Sequence, residues 1–318
     1  MRVAVVGAGA IGAFVAAALA RAGVYVAAVA RGEHLAAMRA QGLRVDSDLG
    51  SFSITIEAAD DLRRLGSFDA LLLTFKAHQW PELFPQLEPF SAQDATIVTL
   101  QNGIPFWYMR EPPLRSVDPG GRIGRLFSDD RIVGGVVHVS GRLRAPGTVV
   151  QSGGLRYVFG APDGGTNERT EKVVELFARA GLSPERDVRI RSTIWLKLVN
   201  NAGLNPVSTL RRLTLKQLLA NPEARAEARM LMCEALQVGE AIGVVGDVDV
   251  DARLAYAARL DDVKTSMLQD YERGREIELD PILGAVIELA ARYGIPVPQT
   301  QRTYEALQPA GKRSWSQR

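Results

Sequence analysis

The sequence contains few of the residues that build disulfide and metal sites. Its 318 residues include one cysteine, Cys233, so an intramolecular disulfide cannot form. The three histidines, His34, His78 and His138, stand far apart without ligand spacing to one another. We therefore expect no metal site, and the lone thiol permits a reducing compartment.

The chain also lacks a long hydrophobic run and an excess of charge of one sign. No uninterrupted apolar segment approaches the roughly 18 to 20 residues that span a bilayer, and the N-terminal apolar run begins without a basic leader. The 38 basic residues against 36 acidic residues leave a formal net charge of +2, which favours neither nucleic acid nor a membrane surface as a partner. With 47% hydrophobic residues, the chain is typical of a globular protein of about two domains, and we expect it to be cytoplasmic.

What the sequence does contain begins with a glycine-rich turn between an apolar strand and an alanine-rich helix. The predicted cofactor-binding residues of this turn are Gly7, Ala8, Gly9, Ala10, Ile11 and Gly12. Gly7 permits a tight turn, Gly9 lets a pyrophosphate approach the backbone, and Gly12 lets the helix pack closely on the sheet. The first amides of the helix and the positive end of its dipole would bind the phosphates. The turn therefore predicts a dinucleotide site.

The residue after the second strand indicates which dinucleotide is bound. A second apolar strand at 24–30 ends at Arg31, where an NAD site would place an acidic residue to bind the ribose 2′-hydroxyl. A guanidinium group pairs with a 2′-phosphate, so the sequence predicts NADP(H). The alternative is a glycine turn in another kind of α/β protein with a solvated arginine. The strand and helix on either side of the turn disfavour it.

Periodicity divides the chain into a mixed first part and a helical second part. Strands are predicted at 68–75, 95–100, 132–139, 148–151 and 156–160. The pattern does not decide whether the last two form an antiparallel edge of the sheet. Helices are predicted at 168–180, 192–210, from Pro222 after an Asn221 cap, 250–271, 280–292 and 299–307. The sequence thus predicts an α/β Rossmann domain with a doubly wound, mostly parallel sheet over 1–188. An all-α substrate domain is predicted over 189–318.

One predicted helix carries a polar ladder that packing does not require. Lys197, Asn201 and Asn205 recur every four residues and therefore share one helix face. A lysine near a ketone can donate a proton to the oxygen as hydride reaches the carbon, and amides can orient the rest of a substrate. The alternative is a solvated face whose lysine pairs with a carboxylate.

At this point the chain resembles the ketopantoate reductases, or 2-dehydropantoate 2-reductases, over nearly its whole length. The matching blocks are Gly7 to Gly12; Lys76 with Gln79; Gln101-Asn102-Gly103; Lys197 with Asn201 and Asn205-Pro206; and Ser266 to Asp270 followed by Glu278-Leu279-Asp280. Five blocks in the same order are far more specific than any one of them.

The resemblance implies NADPH-dependent reduction of 2-dehydropantoate to (R)-pantoate, a step towards coenzyme A. It implies a helical domain like the C-terminal domain of 6-phosphogluconate dehydrogenase, with Lys197 as general acid and Glu278 holding the substrate. It also implies contacts to substrate or nicotinamide from Asn102, Asn201, Asn205 and Ser266, and to the adenosine end of the cofactor from Arg31, Lys76 and Gln79. From the residues alone, Glu278 could instead be a glutamate favoured by a helix start, and Ser266 a mid-helix hydroxyl.

Two departures from the family pattern leave the substrate open. Many members carry an asparagine where this chain has Val263, so a hydrogen bond to the substrate is lost unless Lys264 or an aromatic insertion around Trp107 replaces it. That insertion, 104–121, could itself shape a pocket. The alternatives are a paralogous reductase of another 2-oxo acid and an NADP(H)-binding sensor without turnover, which would be expected to lack Lys197. The sequence leaves a homodimer open.

Overall fold

The residues described by the computed structural model, 1–165, 167–259 and 262–309, belong to two units that do not simply follow the order of the chain. The first unit comprises Met1–Gln101 and Arg125–Ile190, and the second comprises Asn102–Gly124 and the chain from Arg191 onward. The predicted boundary after residue 188 stays a prediction. The structure adds that 102–124 packs with the later helices.

The described residues of the first unit contain a ten-stranded sheet. Its strands are β1 (Arg2–Val6), β2 (Tyr25–Val29), β3 (Leu43–Asp46), β4 (Phe52–Ile54), β5 (Glu57–Ala59), β6 (Ala70–Leu73), β7 (Thr96–Thr99), β8 (Ile132–Ala145), β9 (Thr148–Gly160) and β10 (Ser183–Arg186). Their order is β4-β3-β9-β8-β7-β6-β1-β2-β5, with β10 paired to β9. β1 is parallel to β2 and β6, and parallel pairing continues through β7 to β8. This confirms the predicted doubly wound, mostly parallel sheet.

Four α-helices belong to this unit within the described residues: α1 (Ala10–Arg21), α2 (Gly32–Gln41), α3 (Trp80–Leu87) and α4 (Glu168–Arg179). α1 buries the stretch from Gly12 to Leu19, which explains its alanine-rich composition, because small side chains let a helix lie close to the sheet. Gly23 follows α1 with φ of +82°, as expected of a glycine that closes a helix.

The structure differs in two respects from the two strands predicted at 148–151 and 156–160. β9 is one continuous strand antiparallel to β8, but it lies inside the sheet instead of at an edge. Its first residues pair with β3 and its last residues pair with β10. β3 and β10, the strands that pair with β9 here, are only four residues long and contain polar residues, so no apolar run marked them as strands.

The second unit is helical, as predicted. Its described helices are α5 (Ile190–Arg211), α6 (Leu215–Ala220), α7 (Pro222–Ala241), α8 (Val250–Ala257), α9 (Ser266–Glu272), a π-helical turn (Asp280–Gly284), α10 (Ala285–Tyr293) and α11 (Pro298–Leu307). None of the helices in the described ranges combines the length and apolar character needed to cross a bilayer.

The predicted single helix over 250–271 is two helices, α8 and α9. Residues 260 and 261, between them, lie outside the described residues, as do 310–318 of the predicted second domain. Thr265 starts α9, because its side chain accepts a hydrogen bond from the Leu268 amide at 3.3 Å. Ser266 is therefore at the first position of a helix and not in the middle of one.

The segment 102–124 contributes core to the helical unit. Phe106, Trp107 and Tyr108 are almost fully buried. The Tyr108 hydroxyl donates to the Arg191 carbonyl oxygen at 2.9 Å, and its ring centroid lies 6.1 Å from that of Trp195 on α5. The aromatic insertion therefore stabilises this unit by packing, and the Trp107 ring is not exposed to a ligand.

Glu288 on α10 fixes the far end of the same segment. Its carboxylate accepts from the Arg115 and Ser116 amides, both at 2.9 Å, and from Arg292 at 2.6 Å. Burial raises the pKa of Glu288, but these backbone and side-chain hydrogen bonds outweigh burial and leave the pKa below its ordinary value.

We expect Glu288→Gln to lower the free energy of unfolding by about 1 to 3 kcal/mol at neutral pH, since it removes a charged acceptor from two backbone amides and from Arg292. A carboxyl group whose pKa is lower in the folded state stabilises above its unfolded pKa, and that stabilisation is lost as pH falls through the folded pKa. The difference from wild type in urea unfolding should therefore shrink below about pH 4. Exposed Glu305→Gln is the control. A loss of the same size at every pH would contradict the charge-based explanation.

Candidate active site

The glycine-rich turn begins where β1 ends, and each of its three glycines has different surroundings. Gly7 has φ of +101°, and a Cβ there would lie 2.6 Å from the Phe75 nitrogen. A Cβ on Gly12 would lie 2.3 Å from the Gly7 carbonyl oxygen and 2.5 Å from Thr74 Oγ1. Around the corresponding position on Gly9, no described atom beyond its chain neighbours lies within 4 Å. The turn is thus closed at Gly7 and Gly12 and open at Gly9.

The open side of the turn coincides with the start of α1. Gly9 is the residue before the helix, and its carbonyl oxygen accepts the first helical bond, from the Ala13 amide at 2.8 Å. The amides of Ala10, Ile11 and Gly12 precede that bond, so the helix itself offers them no acceptor. The first turn of α1 carries no acidic side chain. Open space, amide donors and the positive helix end together fit a pyrophosphate.

The residues predicted for the adenosine end follow β2 and β6, the two neighbours of β1. Arg31 follows β2 and forms an ion pair through Nη1 with Glu82 Oε1 of α3. Lys76 follows β6, and its amide donates to Gln79 Oε1 at 3.0 Å, so the Gln79 amide group closes a local turn. The carboxyl ends of β2 and β6 therefore carry one predicted phosphate ligand each.

In the helical unit, the polar ladder lies on α5. Asn205 is buried, and Lys197 and Asn201 are partly buried. A fully solvated face, the alternative from the sequence, does not describe this burial. These three polar side chains are therefore wholly or partly removed from water, where each of them requires hydrogen-bond partners.

The structure brings Lys197, Asn102 and Glu278 together. Lys197 Nζ donates to Asn102 Oδ1 at 2.9 Å, and Asn102 Nδ2 donates to Glu278 Oε2 over a longer 3.5 Å. Glu278 is 8% exposed. The Asn102 amide therefore lies between the ammonium and the carboxylate, accepting from one and donating to the other.

Backbone packing at Gly103 explains how Asn102 reaches this place. A Cβ on Gly103 would lie 2.4 Å from the Pro281 carbonyl oxygen, and φ there is +81°. The next amide, of Ile104, donates to the same Pro281 oxygen at 2.8 Å. Since Pro281 lies in the π-helical turn just after Glu278, this contact holds Asn102 beside Glu278.

The ammonium of Lys197 is easier to deprotonate than that of an ordinary lysine. Burial lowers the pKa of Lys197 to about 8, although the negative charge of Glu278 acts in the opposite direction. A lysine with a pKa near the working pH can give up and regain a proton during a reaction.

The predicted substrate contact Ser266 and the neighbouring residues Val263 and Lys264 have other surroundings. Ser266 is exposed at the start of α9, and no hydrogen bond from it to the lysine cluster is recorded among the described residues. Val263 is 41% exposed, and its carbonyl oxygen accepts from the Leu215 amide at 2.9 Å. Lys264 forms an ion pair with Glu272 at 2.7 Å.

Sequence reasoning missed two residues beside the dinucleotide turn. Thr74 follows β6, and its hydroxyl donates to the Gly7 carbonyl oxygen at 2.7 Å, which fixes the turn. Its position directly after a buried strand was a usable signal. Glu82 is the partner of Arg31, and no local pattern links two residues so far apart in sequence.

Comparison with known families agrees with this geometry. A family model described as "Ketopantoate reductase PanE/ApbA" matches residues 3–164, and its C-terminal counterpart matches 189–310. The chain belongs to the ketopantoate reductase family. Membership confirms the resemblance found in the sequence, and with it the prediction that the chain is an oxidoreductase.

Individual relatives extend this result. The chain is 39% identical over 307 residues to a 2-dehydropantoate 2-reductase from Mesorhizobium japonicum, with 94% of each chain covered. It superposes with a TM-score of 0.86 on the crystal structure of 2-dehydropantoate 2-reductase from Geobacter metallireducens, at 27% identity and covering 98% of this chain and 100% of the other. A D-mandelate dehydrogenase in a ternary structure with NADH shares the fold at 20% identity, with a TM-score of 0.84 and 98% of each chain covered.

The surroundings of Gly9 and Gly12 predict opposite effects of the same substitution. Gly12→Ala should lower the free energy of unfolding by about 1 to 3 kcal/mol, because the new Cβ overlaps backbone and the Thr74 hydroxyl. Gly9→Ala should leave stability within about 0.5 kcal/mol of wild type, since its Cβ meets open space, and should weaken dinucleotide binding at least about tenfold. Thermal unfolding and cofactor-fluorescence titration of both variants test this. Unchanged binding by Gly9→Ala would place the pyrophosphate elsewhere.

Proposed function

We infer that the chain catalyses the NADPH-dependent reduction of 2-dehydropantoate to (R)-pantoate, a reaction that leads towards coenzyme A. The observation that carries this proposal is the Lys197 ammonium, held by Asn102 with Glu278 nearby and with a pKa of about 8. A buried, hydrogen-bonded proton donor of this kind suits reduction of a carbonyl group.

The chemistry requires one hydride and one proton for each ketone. The nicotinamide, when bound, supplies the hydride to the ketone carbon. Lys197 donates its proton from Nζ to the ketone oxygen, which becomes the alcohol of the product, and the lysine regains a proton from solvent. Asn102 orients the ammonium through its carbonyl oxygen, and Glu278 favours the charged form of Lys197 before the reaction.

Residues at the ends of β1, β2 and β6 support NADPH as the cofactor. The open space at Gly9 and the first amides of α1 fit the pyrophosphate. Arg31 carries the cation expected beside a 2′-phosphate, with Lys76 and Gln79 at the adenosine end. A guanidinium can bind phosphate through two parallel hydrogen bonds, which favours NADPH over NADH.

Asn201, Asn205 and Ser266 are proposed as substrate contacts, and Val263 favours a second candidate. Many family members carry an asparagine at the position of Val263, and Lys264 and Trp107 are the candidate replacements for it. Within the described residues, the Lys264 ammonium pairs with Glu272 and the Trp107 ring is buried. The second candidate is therefore reduction of another 2-oxo acid by the same residues. A sensor without turnover is disfavoured by the presence and burial of Lys197. A homodimer and a cytoplasmic location remain predictions.

Lys197→Met tests the proton donor. We expect kcat with 2-dehydropantoate and NADPH to fall about 10²- to 10⁴-fold, since a general acid acts in the transition state, while NADPH affinity is kept. The melting temperature should not fall, because methionine removes a buried charge and keeps the volume. The control is Lys216→Met, at an exposed lysine of the same unit.

A panel of 2-oxo acids, followed by NADPH oxidation, separates the two candidates. The highest kcat/KM with 2-dehydropantoate supports the first. A strong preference for another acid that Lys197→Met also abolishes supports the second. Wild-type turnover by Lys197→Met would contradict both.

The pH profile tests the role of Glu278. Reduction requires protonated Lys197, so kcat/KM should fall as pH rises through about 8. Glu278→Gln removes the charge that raises the pKa of Lys197, so the basic limb should move to lower pH. Glu276→Gln, two residues away, is the control and should leave the limb in place. A lower rate with an unmoved limb would show that Glu278 acts only on the substrate.

A further inference from the structure

The Arg31–Glu82 ion pair has a position that the proposed function does not explain. Arg31 follows β2 and Glu82 lies in the first turn of α3, after the end of β6. These two strands flank β1, so the pair links the strand ends on either side of the glycine-rich turn. Within the described residues, Arg31 and Glu82 form their ion pair with each other.

The two members of the pair favour opposite forms of the ribose 2′ position. The guanidinium attracts a 2′-phosphate, whereas a carboxylate repels it. A carboxylate is also the group with which NAD sites accept the hydrogen bond of a free 2′-hydroxyl, and those sites carry it at the end of the second strand. In this chain the end of the second strand carries Arg31, and the carboxylate reaches it from α3.

We propose that Glu82 is a specificity-determining residue that sets the balance between NADPH and NADH. When NADPH binds, its 2′-phosphate takes Arg31 from Glu82 and leaves the carboxylate close to another negative group. When NADH binds, the pair remains, and Glu82 accepts a hydrogen bond from the ribose. The pair therefore lowers the preference for NADPH that Arg31 alone would give, and NADH serves as a second hydride donor. This inference rests on the proposed function.

The exposure of the pair sets the size of the effect. The side chains of Arg31 and Glu82 are 40% and 58% exposed, so water screens their attraction and a phosphate can displace it. A pair of this kind changes an affinity severalfold and not by orders of magnitude.

The test is Glu82→Gln, which keeps the size of the side chain and removes its charge. Dissociation constants for NADPH and NADH are measured by cofactor fluorescence, and those for adenosine 2′-monophosphate and adenosine 5′-monophosphate by calorimetry. We expect binding of NADPH and the 2′-monophosphate to tighten about two- to fivefold, and binding of NADH to weaken about two- to tenfold. The 5′-monophosphate reports the rest of the adenosine site and should change less than about twofold.

Two further variants make the result specific. Glu33→Gln removes an exposed acidic charge two residues from Arg31 and should leave the ratio of the two cofactor affinities unchanged. Arg31→Ala should weaken NADPH binding about ten- to a hundredfold with little change for NADH.

The outcomes separate this inference from the proposed function. If Arg31→Ala weakens NADPH binding selectively while Glu82→Gln changes the affinity for neither cofactor, the proposed role of Glu82 is wrong. The proposal that the enzyme uses NADPH would still hold. Equal changes in Glu82→Gln and Glu33→Gln would show a general charge effect and overturn the role of Glu82. Equal weakening of both cofactors by Glu82→Gln would show a structural role. If Arg31→Ala weakens neither cofactor, the proposed 2′-phosphate site is wrong and the inference is overturned with it.

Discussion

Burial of the Lys197 ammonium is the constraint on which much of the helical unit depends. A charged group removed from water needs hydrogen-bond acceptors. Among the described residues, the Lys197 ammonium donates to Asn102 Oδ1 at 2.9 Å. Asn102 is distant from Lys197 in sequence, and it belongs to the segment that leaves the sheet unit after Gln101 and packs with the helices before the chain returns at Arg125. The buried aromatic side chains of 102–124 and the Glu288 carboxylate supply the packing and hydrogen bonds that keep this segment there.

The hydrogen-bond acceptor of the Lys197 ammonium is an amide oxygen and not a carboxylate, and this affects the chemistry of the lysine. Full compensation by a directly bonded carboxylate would keep the ammonium charged and a poor proton donor. Here an amide lies between Lys197 and Glu278, so burial dominates and the pKa of Lys197 falls to about 8. The same cost to stability that makes a buried cation unfavourable thus gives the lysine a proton it can transfer near neutral pH.

The proposed cofactor site of the sheet unit poses a different electrostatic problem, the binding of anions by backbone amides. Close contacts at Gly7 and Gly12 hold the turn against β6 and its Thr74, and the open space at Gly9 leaves the first amides of α1 accessible. Arg31, which follows β2, and Glu82 of α3 carry opposite charges and form an ion pair. In the proposed site, recognition of the pyrophosphate by the backbone and selectivity by side chains are therefore separate.

Local signals in the sequence determined the glycine turn, the spacing of Lys197, Asn201 and Asn205, the Asn221 cap and the positions of the apolar parallel strands. Each depends on residues within a few turns of one another, so propensity, periodicity and capping suffice. The short strands β3, β4 and β10 were missed, because three or four residues are too few for a periodic pattern and pairing with neighbouring strands makes them strands.

Only the tertiary structure decided which distant residues meet. It placed β9 inside the sheet, divided 250–271 into two helices, and moved 102–124 into the helical unit. It also joined Asn102 to Lys197 and Glu278, and Arg31 to Glu82. A single sequence carries no local trace of such pairs, because their energy comes from burial and charge in an environment that exists only after the chain has folded.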